Sequence, residues 1–311
     1  MGKNKAFLVP AALAAAFLFS LAAGPAGLSP EIIWNLRLPR TLAALVVGAG
    51  LGLAGALFQG VLKNPLADPY IMGTSAGATA AAVLCFLAGI PRTSPLFFLA
   101  VFSGAFGATF LAYWLARLTG RLSDAALVLA GVAVSAFLTA LVMLSLSVAR
   151  EKAFSLLYFV LGGLYAPRSG VLAASALLAA LSGAAALARW RALDAMAQGE
   201  ESAYHLGIDP RRERLLFFVL GCASTSAAVA LGGTIGFVGL MTPHIVRLLT
   251  GPSFRTLVPA SALGGAALLC AADAAGRTLF SPSEVPAGVV MALAGAPFFM
   301  WLLWKSSRGK A

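Results

Sequence analysis

Three arginines offer the clearest chemistry in this 311-residue chain. Arg37 and Arg40 open one long apolar segment, and Arg277 closes another. A guanidinium stays charged at every relevant pH and presents a planar fork that grips a carboxylate through two hydrogen bonds. The chemistry available is recognition of an acidic group. Snorkelling into a headgroup layer is a second use for such arginines. Arg277 also follows Asp273 by four residues, the spacing that pairs two side chains on one helix, and an acid near the end of an apolar segment needs a partner.

Reactive constellations are absent from the sequence. His205 and His244 fall in separate places, with no Cys, Asp or Glu cluster to complete a metal-ligand set around either. Cys85, Cys222 and Cys270 lie inside apolar runs and far apart, as small buried hydrophobes do. No nucleophile–base pair or carboxylate pair suggests catalysis. The chain also lacks the G-x-x-x-x-G-K-[ST] phosphate loop, so no ATP site or other cofactor is expected on it.

The elements that hold the arginines are apolar. Some 60% of residues are apolar and 11% charged, against roughly 25% charged in a soluble domain. The bilayer must act as solvent. The sequence predicts an all-α membrane protein, one domain over 1–311, with about ten transmembrane helices near 6–24, 38–61, 70–89, 96–116, 125–148, 169–188, 213–231, 235–249, 256–276 and 286–304. The first could also pass for a signal peptide. Phe154 to Leu164 is too short to cross and is read as re-entrant or interfacial. This layout puts 15 of the 22 basic residues on one side, so the positive-inside rule places both termini in the cytoplasm. The same rule accounts for the +11 charge without nucleic acid. Gly48/Gly52, Gly73/Gly77 and Gly232/Gly236 recur at four-residue spacing and are expected to form helix-packing faces.

Three motif blocks punctuate the spans. The first runs from Arg37-Leu38-Pro39-Arg40-Thr41 through Gln59-Gly60 to Asn64-Pro65-Leu66-Ala67-Asp68-Pro69 and Gly73. The second is Gly233-Thr234-Ile235-Gly236-Phe237-Val238-Gly239-Leu240, then Thr242-Pro243-His244-Ile245-Val246-Arg247. The third comprises Ala272-Asp273, Arg277, Glu284-Val285-Pro286-Ala287-Gly288-Val289 and Gly295-Ala296-Pro297-Phe298-Phe299. In this order, over about residues 31–305, the chain resembles the type II ABC importer permeases that serve ferric siderophores, haem and cobalamin.

The resemblance implies a homodimer of ten-helix subunits around a central pathway in a bacterial inner membrane, with 6–24 as an uncleaved first span. Two ATP-binding cassette subunits, which use ATP and Mg, would sit on the cytoplasmic face, and a substrate-binding protein would dock outside. Arg37, Arg40 and Arg277 match positions that receive glutamates of that binding protein. Asn64 and Leu66, with Ser123 and Asp124, match a cytoplasmic gate, although Asp124 replaces a smaller polar residue more usual there. The plainer reading of the Asn64–Pro69 stretch is a turn in which Asp68 caps the next helix. The loop 197–209 reads as a short amphipathic helix ended by Gly207. It matches the coupling helix that meets the ATPase, with Glu201, Ala203, Leu206 and Gly207 fitting the pattern; an ordinary interfacial helix is the alternative. Ser135, Thr139 and Met143 are candidates for lining a path for a metal chelate, ferric siderophore first, then haem or cobalamin. An ion-coupled secondary transporter is the competing class, and Asp273 would be its best intramembrane acid.

Overall fold

The computed structural model describes residues 5–24, 27, 29–118, 124–148, 153–279, 281 and 283–308, and among these no strand occurs. Helix α1 spans Leu8–Ala22. Helix α2, Pro30–Ile32, continues through a π-helical turn at Ile33–Arg37 into α3, Leu38–Val61. A 3-10 turn at Pro69–Met72 leads to α4, Thr74–Leu87, followed by α5, Pro95–Leu118, and α6, Asp124–Val148. The short α7, Ala153–Val160, precedes α8, Ser169–Ala188. Next come α9, Trp190–Gln198, and α10, Glu200–His205. The last four are α11, Pro210–Gly232, α12, Val238–Thr250, α13, Phe254–Thr278, and α14, Ala287–Arg308.

Each apolar segment read from the sequence overlaps one of these helices, with ends that differ by a few residues. Six stretches, ending at Val61, Leu118, Ser147, Ala188, Gly232 and Thr278, are long and apolar enough to cross a membrane. By contrast α1, α4 and α12 have only 15, 14 and 13 residues. At about 1.5 Å per residue, such helices fall short of a hydrocarbon core ~30 Å thick. The remainder is irregular backbone, which is tolerable at that depth only when protein satisfies its polar groups.

The break before α12 meets that condition. The Thr234 hydroxyl donates to the Val160 carbonyl, and Thr234 N donates to Phe159 O at 3.3 Å. Ile235 N donates to the Tyr70 hydroxyl at 3.0 Å, and Gly288 N to Gly162 O at 3.3 Å. Four separate segments therefore share one knot of hydrogen bonds. Phe237 closes it in the left-handed region, with φ +69. Its ring lies 6.2 Å from that of Phe299 and covers Gly295, where a Cβ would fall 2.3 Å from the ring. Packing holds a conformation that a bulky residue avoids on its own.

Helix α3 forms the centre, buried almost without interruption from Ala43 to Val61. Small residues make this possible. A Cβ on Gly48 would lie 2.3 Å from Gly265 O, and one on Gly52 would lie 2.2 Å from Ser261 O, so α3 and α13 touch backbone to backbone. Gly55 sits still closer to Gly239 at the start of α12. Of the other two expected pairs, Gly77 does pack, against Gly104 of α5, but Gly73 instead ends the 3-10 turn at φ +83. Gly232 abuts Val47, whereas nothing lies within 4 Å of a Cβ on Gly236. A four-residue interval marks a packing face only where the helix is unbroken, and α11 stops at Gly232.

Candidate functional site

Charged and polar groups gather at the two ends of the bundle. One end collects the start of α3, the finish of α1 and α13, and the loop before α14. There Asp273 is the hub, with none of its side chain exposed. Its Oδ2 accepts from Arg277 Nε at 3.1 Å, the four-residue pairing expected within one helix, and its Oδ1 accepts from Arg40 Nε at 3.0 Å. Arg277 spends its remaining donors on the end of α1: Nη1 to Ala23 O at 3.0 Å, and Nη2 to Ser20 O at 3.0 Å and Ser20 Oγ at 2.8 Å. Arg37 adds Leu21 O and Ala22 O, both at 2.9 Å, and Gly27 O at 3.3 Å. Orphan carbonyls at a helix C-terminus carry partial negative charge, so two cations stabilise them.

The three arginines therefore differ. Arg37 and Arg277 are buried and bind α1 internally, while Arg40 reaches the surface and also pairs with Glu284 at 2.7 Å. Glu284 lay within a motif block but carried no expected role. Its pairing partner is 244 positions away, and no local pattern reveals it.

Beside this end, Arg92 lies 4.1 Å from the centroid of the Tyr165 ring and 5.3 Å from that of Phe159. It donates to Gly163 O at 2.9 Å, just past α7. Burial pushes its guanidinium down to about 10, which leaves it charged at neutral pH. The cation pins the C-terminal turn of α7 beside the hydrogen-bonded knot.

At the opposite end lies the link from α3 to α4. Asn64 Oδ1 accepts from Leu66 N at 2.9 Å, and Asp68 Oδ1 accepts from Tyr70 N at 2.8 Å, so two side-chain turns shape the loop. Asp68 therefore does cap the helical turn that follows. Asn64 and Leu66 are exposed. The preceding Lys63 has φ +48, and below it Gln59 joins α3 to α12: its Nε2 donates to Leu240 O at 3.3 Å, and its Oε1 accepts from Arg247 at 3.2 Å. Tyr70 ties this loop to the break at Ile235. Replacing Tyr70 with Phe strands the buried Ile235 N–H, which should cost about 1–3 kcal/mol. A thermal midpoint several degrees lower for the purified permease is the expected result; an unchanged midpoint would mean that the knot is not held through this hydroxyl.

The loop 197–209 does contain a helix, α10, but α9 before it was not expected. Asp194 of α9 accepts from Ser253 Oγ at 2.9 Å and Phe254 N at 2.7 Å, capping α13. Residues 189–198 are too polar for a span, and only the fold shows their apolar stripe docking on the bundle. In α10, Ala203 is buried with Leu193 and Met196 of α9. Its methyl seats the helix. Glu201, Tyr204, His205, Leu206 and Gly207 face outward, with Leu206 69% exposed. Glu200 pairs with Arg214 of α11, and it lies 4.0 Å from Lys63 of the gate-candidate loop.

The other candidates fall on α6. Ser123 lies outside the described residues, as does the side chain of Asp124, whose backbone starts the helix. Ser135, Thr139 and Met143 succeed one another at four-residue intervals on one face. Ser135 is half-buried near Gly73, whereas Thr139 and Met143 are exposed. Among the described residues no group of three or more His, Cys, Asp or Glu side chains could hold a metal ion.

Comparison with known proteins places these features in a lineage. The model of the FecCD transport family matches residues 5–305. The cobalamin import system permease protein BtuC of Halobacterium salinarum is 38% identical, over 94% of this chain and 78% of its own length. The hemin transport system permease protein HmuU of Yersinia pestis is 37% identical, over 87% of this chain and 83% of its own. A solved structure described as an inward-facing conformation of a metal-chelate type ABC transporter superposes with a TM-score of 0.85, at 31% identity, covering 97% of this chain and 99% of the other.

Proposed function

Since the chain belongs to the FecCD transport family and is a multi-pass permease subunit of an ABC importer, we propose that it carries a metal chelate inward as one half of a homodimer driven by two separate ATPase subunits. Ferric siderophore is the first choice of cargo, then haem or cobalamin. The observation that carries this reading is the division of labour between the ends of the bundle. A carboxylate-recognising end sits opposite an end with an outward-facing short helix and a shaped loop.

In this proposal the arginine end faces outward and receives a substrate-binding protein. Arg40 makes the contact, while Arg37 and Arg277 hold the surface in place from beneath. The opposite end faces the cytoplasm. Both the start of α1 and the finish of α14 come to it, in keeping with the bias of basic residues there. Asn64, Leu66, Ser123 and Asp124 form the inner gate. Glu201, Leu206 and Gly207 meet the ATPase, which uses ATP and Mg, and Ala203 anchors their helix. Thr139 and Met143, with Ser135 at its edge, line the path on α6. A bulky chelate slides best along weak contacts of this sort. The exposed apolar faces of α6 and α14, with Leu129, Phe137, Leu293 and Trp301 uncovered, are left for lipid and the second subunit.

Vesicles holding the permease with its ATPase should take up chelate from the binding protein only when ATP is supplied. Uptake by the permease alone, on a proton or sodium gradient, would instead establish a secondary transporter. Changing Leu206 to Asp should cut ATP-driven uptake by more than about tenfold, as loss of a central apolar anchor does, while leaving the permease monodisperse. Undiminished uptake would remove α10 from the energy-coupling surface.

A further inference from the structure

Arg40 is already occupied by two carboxylates of unequal standing. Asp273 is fully buried and shared with Arg277, so it cannot leave without stranding a second charge. Glu284 is different. Its side chain is 38% exposed, and Arg40 is the ion-pair partner it shows among the described residues. The backbone beside it is fixed: Val285 N donates to Gly276 O at 3.0 Å, and a Cβ on Gly276 would lie 2.3 Å from Val285 O. The carboxylate can thus turn toward water by side-chain rotation alone, with no movement of the loop. Doing so frees one edge of a preformed guanidinium fork whose other edge stays locked on Asp273.

We infer that Glu284 is a resident occupant of the docking seat, displaced when a carboxylate of the substrate-binding protein takes its place on Arg40. This rests on the reading that the binding protein docks at this end. One half-exposed carboxylate exchanges for another on the same cation, so the step is close to balanced in energy. Its consequence is kinetic and selective. Arg40 is never left without a counter-charge, and the incoming acid must out-compete one already present, which lowers the resting affinity and helps the emptied binding protein to leave. Discrimination follows as well, because a weakly complementary acidic protein fails to displace Glu284.

The test uses the complete transporter, permease with ATPase subunits, in nanodiscs. The probe is the substrate-binding protein that supports ATP-driven uptake by this transporter, taken chelate-free, and its Kd is read at physiological salt. Glu284→Gln should tighten binding about three- to tenfold, the range of a partly exposed charged hydrogen bond removed as competitor. Glu31→Gln removes an exposed acid from α2 at the same end and should change Kd less than about twofold, since exposed charges at a distance are screened. Arg40→Gln should weaken binding, and adding Glu284→Gln to it should then give no gain. If Glu284→Gln fails to tighten while Arg40→Gln still weakens, the exchange is wrong and docking at Arg40 stands. Equal tightening by Glu31→Gln would reduce the effect to net charge and overturn the exchange too. No response to Arg40→Gln would remove both the exchange and the docking contact.

Discussion

Replacing Asp273 with Ala should destabilise the permease by about 3–5 kcal/mol, the usual consequence of deleting one member of a buried ionic cluster. The side chain is fully buried and faces two guanidiniums, those of Arg40 and Arg277. Without it Arg277, only 5% exposed, keeps its carbonyl partners but no counter-ion, and Arg40 depends on Glu284 alone. The loss should register as a fall of roughly 5–15 °C in the thermal midpoint of the purified protein. Asp273→Asn retains the size and accepts one hydrogen bond, so it should fall between the two. A midpoint within a degree or two of the parent for Asp273→Ala would show that the cluster is held by its carbonyl contacts instead. That result would also undercut Asp273 as the fixed half of the Arg40 fork.

The second large effect is expected at Gly55. A methyl there would sit 1.8 Å from the carbonyl oxygen of Gly239 and 2.5 Å from its carbon. The obstacle is backbone at the start of α12, which cannot rotate aside as a side chain would. Relief requires α3 and α12 to separate, and α12 is fastened through Gln59 and the knot at Ile235. Gly55→Ala should therefore exceed the about 1–3 kcal/mol typical of overpacking, and should abolish the monodisperse peak in size-exclusion chromatography. Gly107→Ala is the matched control: it is a mid-helix glycine with nothing within 4 Å of the added atom, and alanine is the better helix former. Equal behaviour of the two variants would mean that the close approach of α3 to α12 is not a structural requirement.

These effects differ in how far the sequence announced them. The Asp273–Arg277 pair could be read directly, because a four-residue interval on a helix makes neighbours. The helix centres were likewise legible, since apolar runs of about 20 residues have few alternatives. What escaped were contacts between distant segments. Arg37 and Arg277 looked like surface cations of the same kind as Arg40, and nothing nearby reveals that the end of α1 covers them. Ala203 looked like part of an outward face because α9, which buries it, is too polar to be noticed as a packing element. The start of α12 was placed three residues early because Ile235 and Phe237 are apolar. The hydrogen bonds that Thr234 donates to Val160 and Ile235 to Tyr70, with Phe237 in the left-handed region, and not hydrophobicity, keep this stretch non-helical.

The attachment of α1 bears on how the chain is assembled. Of its last carbonyls, Leu21 and Ala22 are held by Arg37, 16 and 15 positions on, while Ser20 is held by Arg277, 257 positions further on. The end of α1 is thus fastened in two stages during synthesis, first by the segment that follows it and again only once α13 has been made. Arrival of α13 joins the end of α1 to a segment 254 to 257 positions away and completes the arginine cluster.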